Sequence, residues 1–234
     1  MTGSVRPTAR AESVHRAGCP DPASAVSSAA RAGGLDVVVL AGGTGARLGG
    51  ASKPDVVARG ARLIDHVLRG LDGLRGSLTL GEVVVVAPED VALPAGVRRA
   101  LEDPPLGGPV AGAGAGLLAL GAGGRRSAPT TALLACDAPE AWRALPGLVA
   151  RLTASPGASG AVSMDGAHRQ YLVGVYRTGP LREAVAPGGV PLRDVALRRA
   201  LGVLAPLEVD LGALRGVGQD LDTWEEIAAW ERDG

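Results

Sequence analysis

Phenylalanine and asparagine are missing from the 234-residue chain, and three tryptophans and two tyrosines hold the aromatic share to 2%. Its core must therefore be aliphatic. Lysine is almost missing as well: Lys53 is the only one, so arginine supplies every other basic side chain. A compact ammonium and a planar guanidinium are not interchangeable at a crowded phosphate, which singles out position 53. Cysteine is scarce, and Cys19 and Cys136 make neither a disulfide framework nor a four-ligand zinc site. Cys136 stands in an apolar run and reads as a small buried hydrophobe. No apolar stretch approaches the roughly 20 residues of a membrane span. The opening residues lack the apolar centre of a signal peptide, so a cytoplasmic protein is expected. Charge of one sign is lacking too: 24 basic and 24 acidic residues give a net charge of zero. Bulk electrostatics thus gives no reason to expect nucleic acid or an anionic membrane as partner.

With 46% hydrophobic and 21% charged residues, the composition suits one globular domain with a substantial core. Residues 1–34 are rich in Ala, Ser, Arg, Gly and Pro without apolar periodicity, and a disordered extension carrying His15 and Cys19 is expected there. The domain is expected over residues 35–234. Apolar runs at 36–40, 83–86, 97–101 and 130–135 read as strands; the second and fourth are continuous, as in parallel strands covered on both faces. Helices are expected over 63–71, 110–120 and 140–152. Asp65 and His66 fall in the first of these and read as ordinary structural residues. The alternation predicts an α/β fold with a mostly parallel sheet and helices on both faces. The last third changes character. Strands at 158–164 and 170–176 joined by a turn at Asp165-Gly166, helices at 180–186 and 192–201, and a strand at 204–209 predict a mixed-sheet C-terminal third. Thr223 and Glu226 form a capping-box pattern for a final helix.

Ligands bind beyond the carboxyl ends of strands in open parallel sheets, and those ends carry chemistry here. The first runs into Gly42, Gly43, Gly45, Gly49 and Gly50 with Arg47 and Lys53, a loop whose missing side chains let phosphates approach backbone N–H groups. The third ends near Asp103 and the fourth in Asp137. Asp220 and Asp222 precede the final helix, at the end of what reads as another strand. Two carboxylates plus phosphate oxygens suit Mg²⁺. The loop is not a Walker A motif, and it lacks the third glycine and the ribose-binding acid of a dinucleotide fingerprint, which argues against an oxidoreductase.

Leu40-Ala41-Gly42-Gly43, then Arg47, Gly49 and Lys53-Pro54, resembles the signature of the nucleotidyltransferase superfamily with a GT-A-like, Rossmann-like fold. Gly108-Pro109-Val110-Ala111-Gly112, Cys136-Asp137-Ala138-Pro139 and Asp222-Thr223 with Glu225-Glu226 resemble further segments of that superfamily in the same order, over about residues 35–232. Within it, the Arg47-to-Lys53 spacing is similar to that of the molybdenum cofactor guanylyltransferases, and Gly42-Gly43 tilts the choice towards GTP. The chain departs from the family at Ser52, where Asp is usual, at Val86-Ala87-Pro88, where Asn is frequent, and at Trp224, where Pro is usual.

The resemblance implies transfer of GMP from GTP to the terminal phosphate of molybdopterin, with Mg²⁺ and release of pyrophosphate. It implies catalytic roles for Arg47, Lys53 and Asp137. Nucleotide binding falls to Leu40, Ala41, Gly42, Gly43, Arg47, Lys53, Asp103 and Asp137, and metal binding to Asp137 with Asp222, or Asp220 in its place. Transient contact with cofactor-delivery proteins is implied as well. The alternatives are a related enzyme using CTP or another acceptor such as a sugar phosphate, and a non-catalytic nucleotide- or cofactor-binding homologue.

Overall fold

The first strand explains its own composition. β1 (Leu35–Leu40) is buried at every position. Val37 and Val39 belong to one apolar cluster, and Val38 and Leu40 to a second. A strand covered on both faces has no polar side to show, hence the uninterrupted valines. The computed structural model describes Met1 and residues 34–43, 45–124, 126–214 and 216–233. Apart from Met1 and Gly34, the expected N-terminal extension lies outside the described residues, as do His15 and Cys19. Gly34 already belongs to the fold, its carbonyl accepting from Thr130 Oγ1 at 3.1 Å.

After β1 come a hairpin of β2 (Val57–Ala58) and β3 (Ala61–Arg62), α1 (Leu63–Gly73), β4 (Leu80–Val86), β5 (Arg98–Ala100) and α2 (Gly108–Leu120). β6 (Thr130–Ala135), α3 (Leu145–Thr153), β7 (Gly160–Asp165), β8 (His168–Arg177) and α4 (Thr178–Val185) follow. The chain then forms α5 (Leu197–Gly202), β9 (Leu207–Val209) and α6 (Trp224–Arg232). Seven strands form one sheet in the order β5-β4-β1-β6-β8-β7-β9. β5, β4, β1 and β6 run parallel, while β8 is antiparallel to both β6 and β7, and β7 is parallel to β9. α1 and α3 contribute to the cluster on one face, and α2, α4 and α5 to that on the other. The expected α/β architecture with a mixed C-terminal third is present.

α2 packs closely where its sheet-facing positions are glycine. A Cβ at Gly116 would stand 2.5 Å from Val38 Cγ1, and one at Gly112 3.3 Å from Leu40 Cδ2. The nucleus of the sheet can thus be lined by glycine and alanine where larger residues would overpack it.

Four expectations need correction. The β2–β3 hairpin was not expected: its strands have two residues each, and its turn is Arg59-Gly60, both left-handed, at φ 48° and 72°. The helix expected over 140–152 is a 3-10 turn, Ala141–Ala144, followed by α3. Of the helix expected over 192–201, residues 192–196 are not helical; Leu192 N–H donates to Val185 O and Asp194 is left-handed, so the helix starts only at Leu197. Asp220 and Asp222 do not end a strand but lie in an irregular segment, whose position comes from single hydrogen bonds rather than a ladder.

Candidate active site

β1 stands where the sheet order reverses: the chain moves from β1 to β4 and β5 on one side, then places β6 on the other. The ends of β1 and β6 therefore open into one crevice. Backbone bonds fix them, Cys136 N–H donating to Leu40 O at 2.9 Å and Ala41 N–H to Val86 O at 2.8 Å. The glycine loop leaves β1 here. Gly45 is left-handed, at φ 55°, and a Cβ on it would stand 2.0 Å from Ala51 O, so only glycine closes the loop this way. Gly42 and Gly43, by contrast, have open space where a Cβ would be. Their backbone is free to meet a ligand.

Lys53 begins a 3-10 turn, Lys53–Asp55, with Pro54 next to it. Ser52 donates through its hydroxyl to Asp55 at 2.6 Å. The Lys53 ammonium bridges two aspartates from distant parts of the chain, reaching Asp137 at 2.9 Å and also Asp222. Arg47, itself largely exposed, pairs with the other oxygen of Asp222. Burial works against the Lys53 ammonium, but the hydrogen bond to Asp222 and the charge of Asp137 outweigh it and hold its pKa above the usual lysine value. The Lys53 hydrogen bond in turn holds the Asp222 carboxyl below its ordinary range, against partial burial. Burial and the charges of Asp137 and Asp222 push Asp220 up to about 6. Burial, with the charge of Asp137, pushes the Cys136 thiol up, so it is no thiolate nucleophile.

The segment carrying Asp222 is anchored from both sides. Leu221 N–H donates to Asp137 O at 2.8 Å, and the Leu221 side chain is buried with Leu48, Val56, Ala58, Leu63 and Ile227. This small cluster joins the glycine loop, the hairpin and α6 beneath the crevice. Thr223 and Glu226 form the expected capping box, and Glu226 Oε2 also accepts from Asp222 N–H at 2.8 Å. Arg59 adds a clamp: its guanidinium lies 3.9 Å over the Trp230 ring, donates to Trp230 O and pairs with Glu140 at 3.3 Å. His66 Nε2 donates to Ala58 O and the ring packs edge-on against Trp230, while Asp65 pairs with Arg62, as befits structural residues. Thr223→Ala is expected to lower stability by about 0.5–2 kcal/mol, read as a lower urea midpoint. Backbone bonds, that from Asp222 first, depress the Glu226 pKa. Its stabilising contribution is complete at neutral pH and is lost as pH falls through that depressed value.

Two cavities meet at the bridged aspartate. One, of about 360 Å³, is lined by Leu40, Gly42, Gly43, Val86, Glu102 and Leu106, and reaches Asp137. The other, of about 410 Å³, runs along β8 past His168, Arg169 and Tyr171, and contains both Asp137 and Asp220. Of the residues expected at the site, the structure brings together Leu40, Gly42, Gly43, Arg47, Lys53, Asp137 and Asp222. Ala41 lies just behind them, fully buried. Asp103 does not line the cavity; it is exposed, one residue beyond Glu102, which does. A Glu-Asp pair at a strand end shows that one carboxylate faces the crevice without showing which.

A magnesium ion fits this donor set. Asp137 Oδ1 is buried with no hydrogen-bond partner, and Asp222 converges on the same ammonium from another segment. No cluster of three or more His, Cys, Asp or Glu side chains able to hold a metal occurs among the described residues. Substrate phosphates and water would have to complete the shell, which is how Mg²⁺ is usually bound.

Solved structures share this fold. Molybdopterin-guanine dinucleotide biosynthesis protein A from Archaeoglobus fulgidus superposes with a TM-score of 0.59 at 20% identity, over 85% of this chain and 97% of that one. The 2-C-methyl-D-erythritol 4-phosphate cytidylyltransferase from Thermus thermophilus gives 0.57 at 17% identity, over 83% and 96%. CMP:2-keto-3-deoxy-manno-octonic acid synthetase complexed with CTP gives 0.53 at 14%, over 86% and 99%. A sequence search of curated proteins finds no match. No described helix is long and apolar enough to cross a membrane. Residues 37–208 match the MobA-like NTP transferase domain, which spans the glycine loop, Lys53 and Asp137. The chain belongs to the MobA-like NTP transferase family and is a nucleotidyltransferase.

Proposed function

We propose that the chain transfers GMP from GTP to the terminal phosphate of molybdopterin. The observation carrying this reading is the meeting of two cavities at Asp137, with Lys53 held beside it. A nucleotide in one cavity and a phosphorylated acceptor in the other would meet at a single point that carries both a cation and a metal-binding carboxylate.

The base would lie between Leu40, Val86 and Gly112, facing Glu102. Guanine offers N1–H and its 2-amino group side by side, two donors that suit one carboxylate; cytosine offers one amino donor. Glu102 Oε1 also accepts from Leu106 N–H, which orients the carboxylate and leaves Oε2 and the second lone pair of Oε1 for the two donors of the base. Asp103, at the exposed rim, would reach the ribose. Backbone around Gly42 and Gly43 would meet the phosphates, with Arg47 at the pyrophosphate end.

An oxygen of the acceptor's terminal phosphate attacks the α-phosphorus of GTP. A new P–O bond forms as the bond from that phosphorus to the oxygen bridging to the β-phosphorus breaks, and pyrophosphate leaves with the electron pair. The nucleophile is already anionic and needs no general base. Lys53 holds positive charge against the oxygens of the transferring group, a contribution of position and electrostatics rather than proton transfer. Asp137 and Asp222 would hold Mg²⁺, which supplies Lewis-acid neutralisation of the triphosphate.

Incubation with Mg²⁺, molybdopterin and each NTP in turn, followed by pyrophosphate detection, tests the proposal. Turnover with GTP is the expected result. Turnover confined to CTP, or to another phosphorylated acceptor, reassigns the substrates. Nucleotide binding without any turnover refutes catalysis.

A further inference from the structure

One wall of the nucleotide cavity is the stretch 101–107, which belongs to neither sheet nor helix. It supplies Glu102 and Leu106 to the lining. At its centre are Pro104 and Pro105, which have no N–H to donate, so at these two positions the backbone can be held only through its carbonyls. A donor comes from far along the chain. Arg193 Nη1 donates to Pro104 O at 2.5 Å and Nη2 to Pro105 O at 3.4 Å. One residue on, Asp194 N–H donates to Gly107 O at 2.9 Å. The guanidinium lies so close to the wall that a Cβ on Gly107 would stand 2.6 Å from Arg193 Cζ.

Backbone conformation marks the same contact. Leu106 at φ 66° and Asp194 at φ 55° lie on either side of it, two of the four non-glycine residues with positive φ among those described. Such conformations persist where surrounding contacts over-determine them, and they concentrate at ligand clamps. Among the described residues Arg193 has no carboxylate partner, and its guanidinium hydrogen bonds go to this wall.

We propose that Arg193 is a specificity-determining positioning residue for the nucleotide base. It does not line the cavity. It fixes the carbonyls of Pro104 and Pro105, and through them the placement of Glu102 and Leu106 against the base. This inference rests on the reading of that cavity as the nucleotide's seat.

Calorimetric titration of the full chain with each of the four Mg–NTPs, without acceptor, separates the two ideas. Arg193→Ala is expected to weaken the preferred NTP at least about tenfold and to erode its preference over the other three by a similar factor, because a displaced carboxylate leaves base donors unpaired. Arg193→Lys recovers part of both. Gly107→Ala keeps the charge but pushes a methyl against the guanidinium and Ala111 Cβ, and it reproduces the loss of preference even should Arg193→Ala fail to fold. Unchanged affinity and unchanged preference in Arg193→Ala and Gly107→Ala overturn the role of Arg193 alone. A wild-type chain that prefers CTP overturns the guanine assignment, while the role of Arg193 is read from that preference instead. A chain that binds no NTP overturns both.

Discussion

Lys53→Ala is expected to lower kcat by about 10²–10³-fold, the usual effect of removing one charge contact to a transition state. Lys53 is the shared counter-ion of Asp137 and Asp222. Its loss leaves two carboxylates facing an incoming triphosphate with Arg47, at the exposed edge of the site, as the side-chain cation still paired there. The fold survives, since the core clusters on both faces of the sheet involve no part of the Lys53 side chain. The Asp222 carboxyl, now held down by the ammonium, returns upward towards its ordinary range. In the wild type, the stability drawn from Asp222 is complete above the ordinary carboxylate pKa and lost as pH falls through the depressed one; in the variant that acid-side loss shrinks. Pyrophosphate release at saturating GTP and acceptor, with acid unfolding alongside, checks both statements. Turnover within about threefold of wild type contradicts an electrostatic role for Lys53.

Asp137→Asn is expected to cost at least as much, on the order of 10³-fold or more in kcat/KM, with the apparent affinity for Mg²⁺ weakened as well. The amide keeps the shape of the side chain, and the backbone bond from Leu221 to the carbonyl of residue 137 is untouched. The C-terminal segment stays docked and the loss is chemical. What disappears is the carboxylate whose Oδ1 is, among the described residues, the buried carboxylate oxygen without a partner, together with the anionic half of the pair with Lys53. Titrating Mg²⁺ at fixed GTP distinguishes this from Lys53→Ala: excess metal recovers part of the Asp137→Asn deficit and none of the Lys53→Ala deficit. Equal insensitivity of both variants to Mg²⁺ would remove Asp137 from the metal site.

The parts of this fold visible in the sequence are those dictated by burial. β1, β4 and β6 carry long apolar runs because both their faces are covered, and α1 shows one apolar face because only one side meets the sheet. Lys53 stands out as the sole lysine, set in a glycine-rich loop, and Asp137 because it follows a buried strand, where ligands of parallel sheets sit. The rest depended on contacts that leave no local pattern. The β2–β3 hairpin is too short for alternation to register, and its turn places arginine at a left-handed position that usually favours glycine or asparagine. Residues 192–196 look helical by composition, yet tertiary bonds to Val185 and Gly107 claim their backbone. Whether Glu102 or Asp103 faces the cavity turns on the hydrogen bond that Leu106 donates to Glu102, which spacing does not report.

Lys53 and Asp137 are 84 positions apart, and Lys53 and Asp222 are 169 apart. A ribosome adds about 5–20 residues per second, so on the order of ten seconds separates the emergence of the second charged partner from that of the third. During that interval the nascent chain can assemble β1, β4 and β6 with Lys53 already facing Asp137. Leu48, Val56 and Leu63 meanwhile wait uncovered for Leu221 and Ile227. A translation product stopped short of α6 would keep most of the sheet but expose an apolar patch beside the glycine loop. Such a patch is what chaperones and proteases recognise, so quality control of this enzyme would act on the same ground as its chemistry.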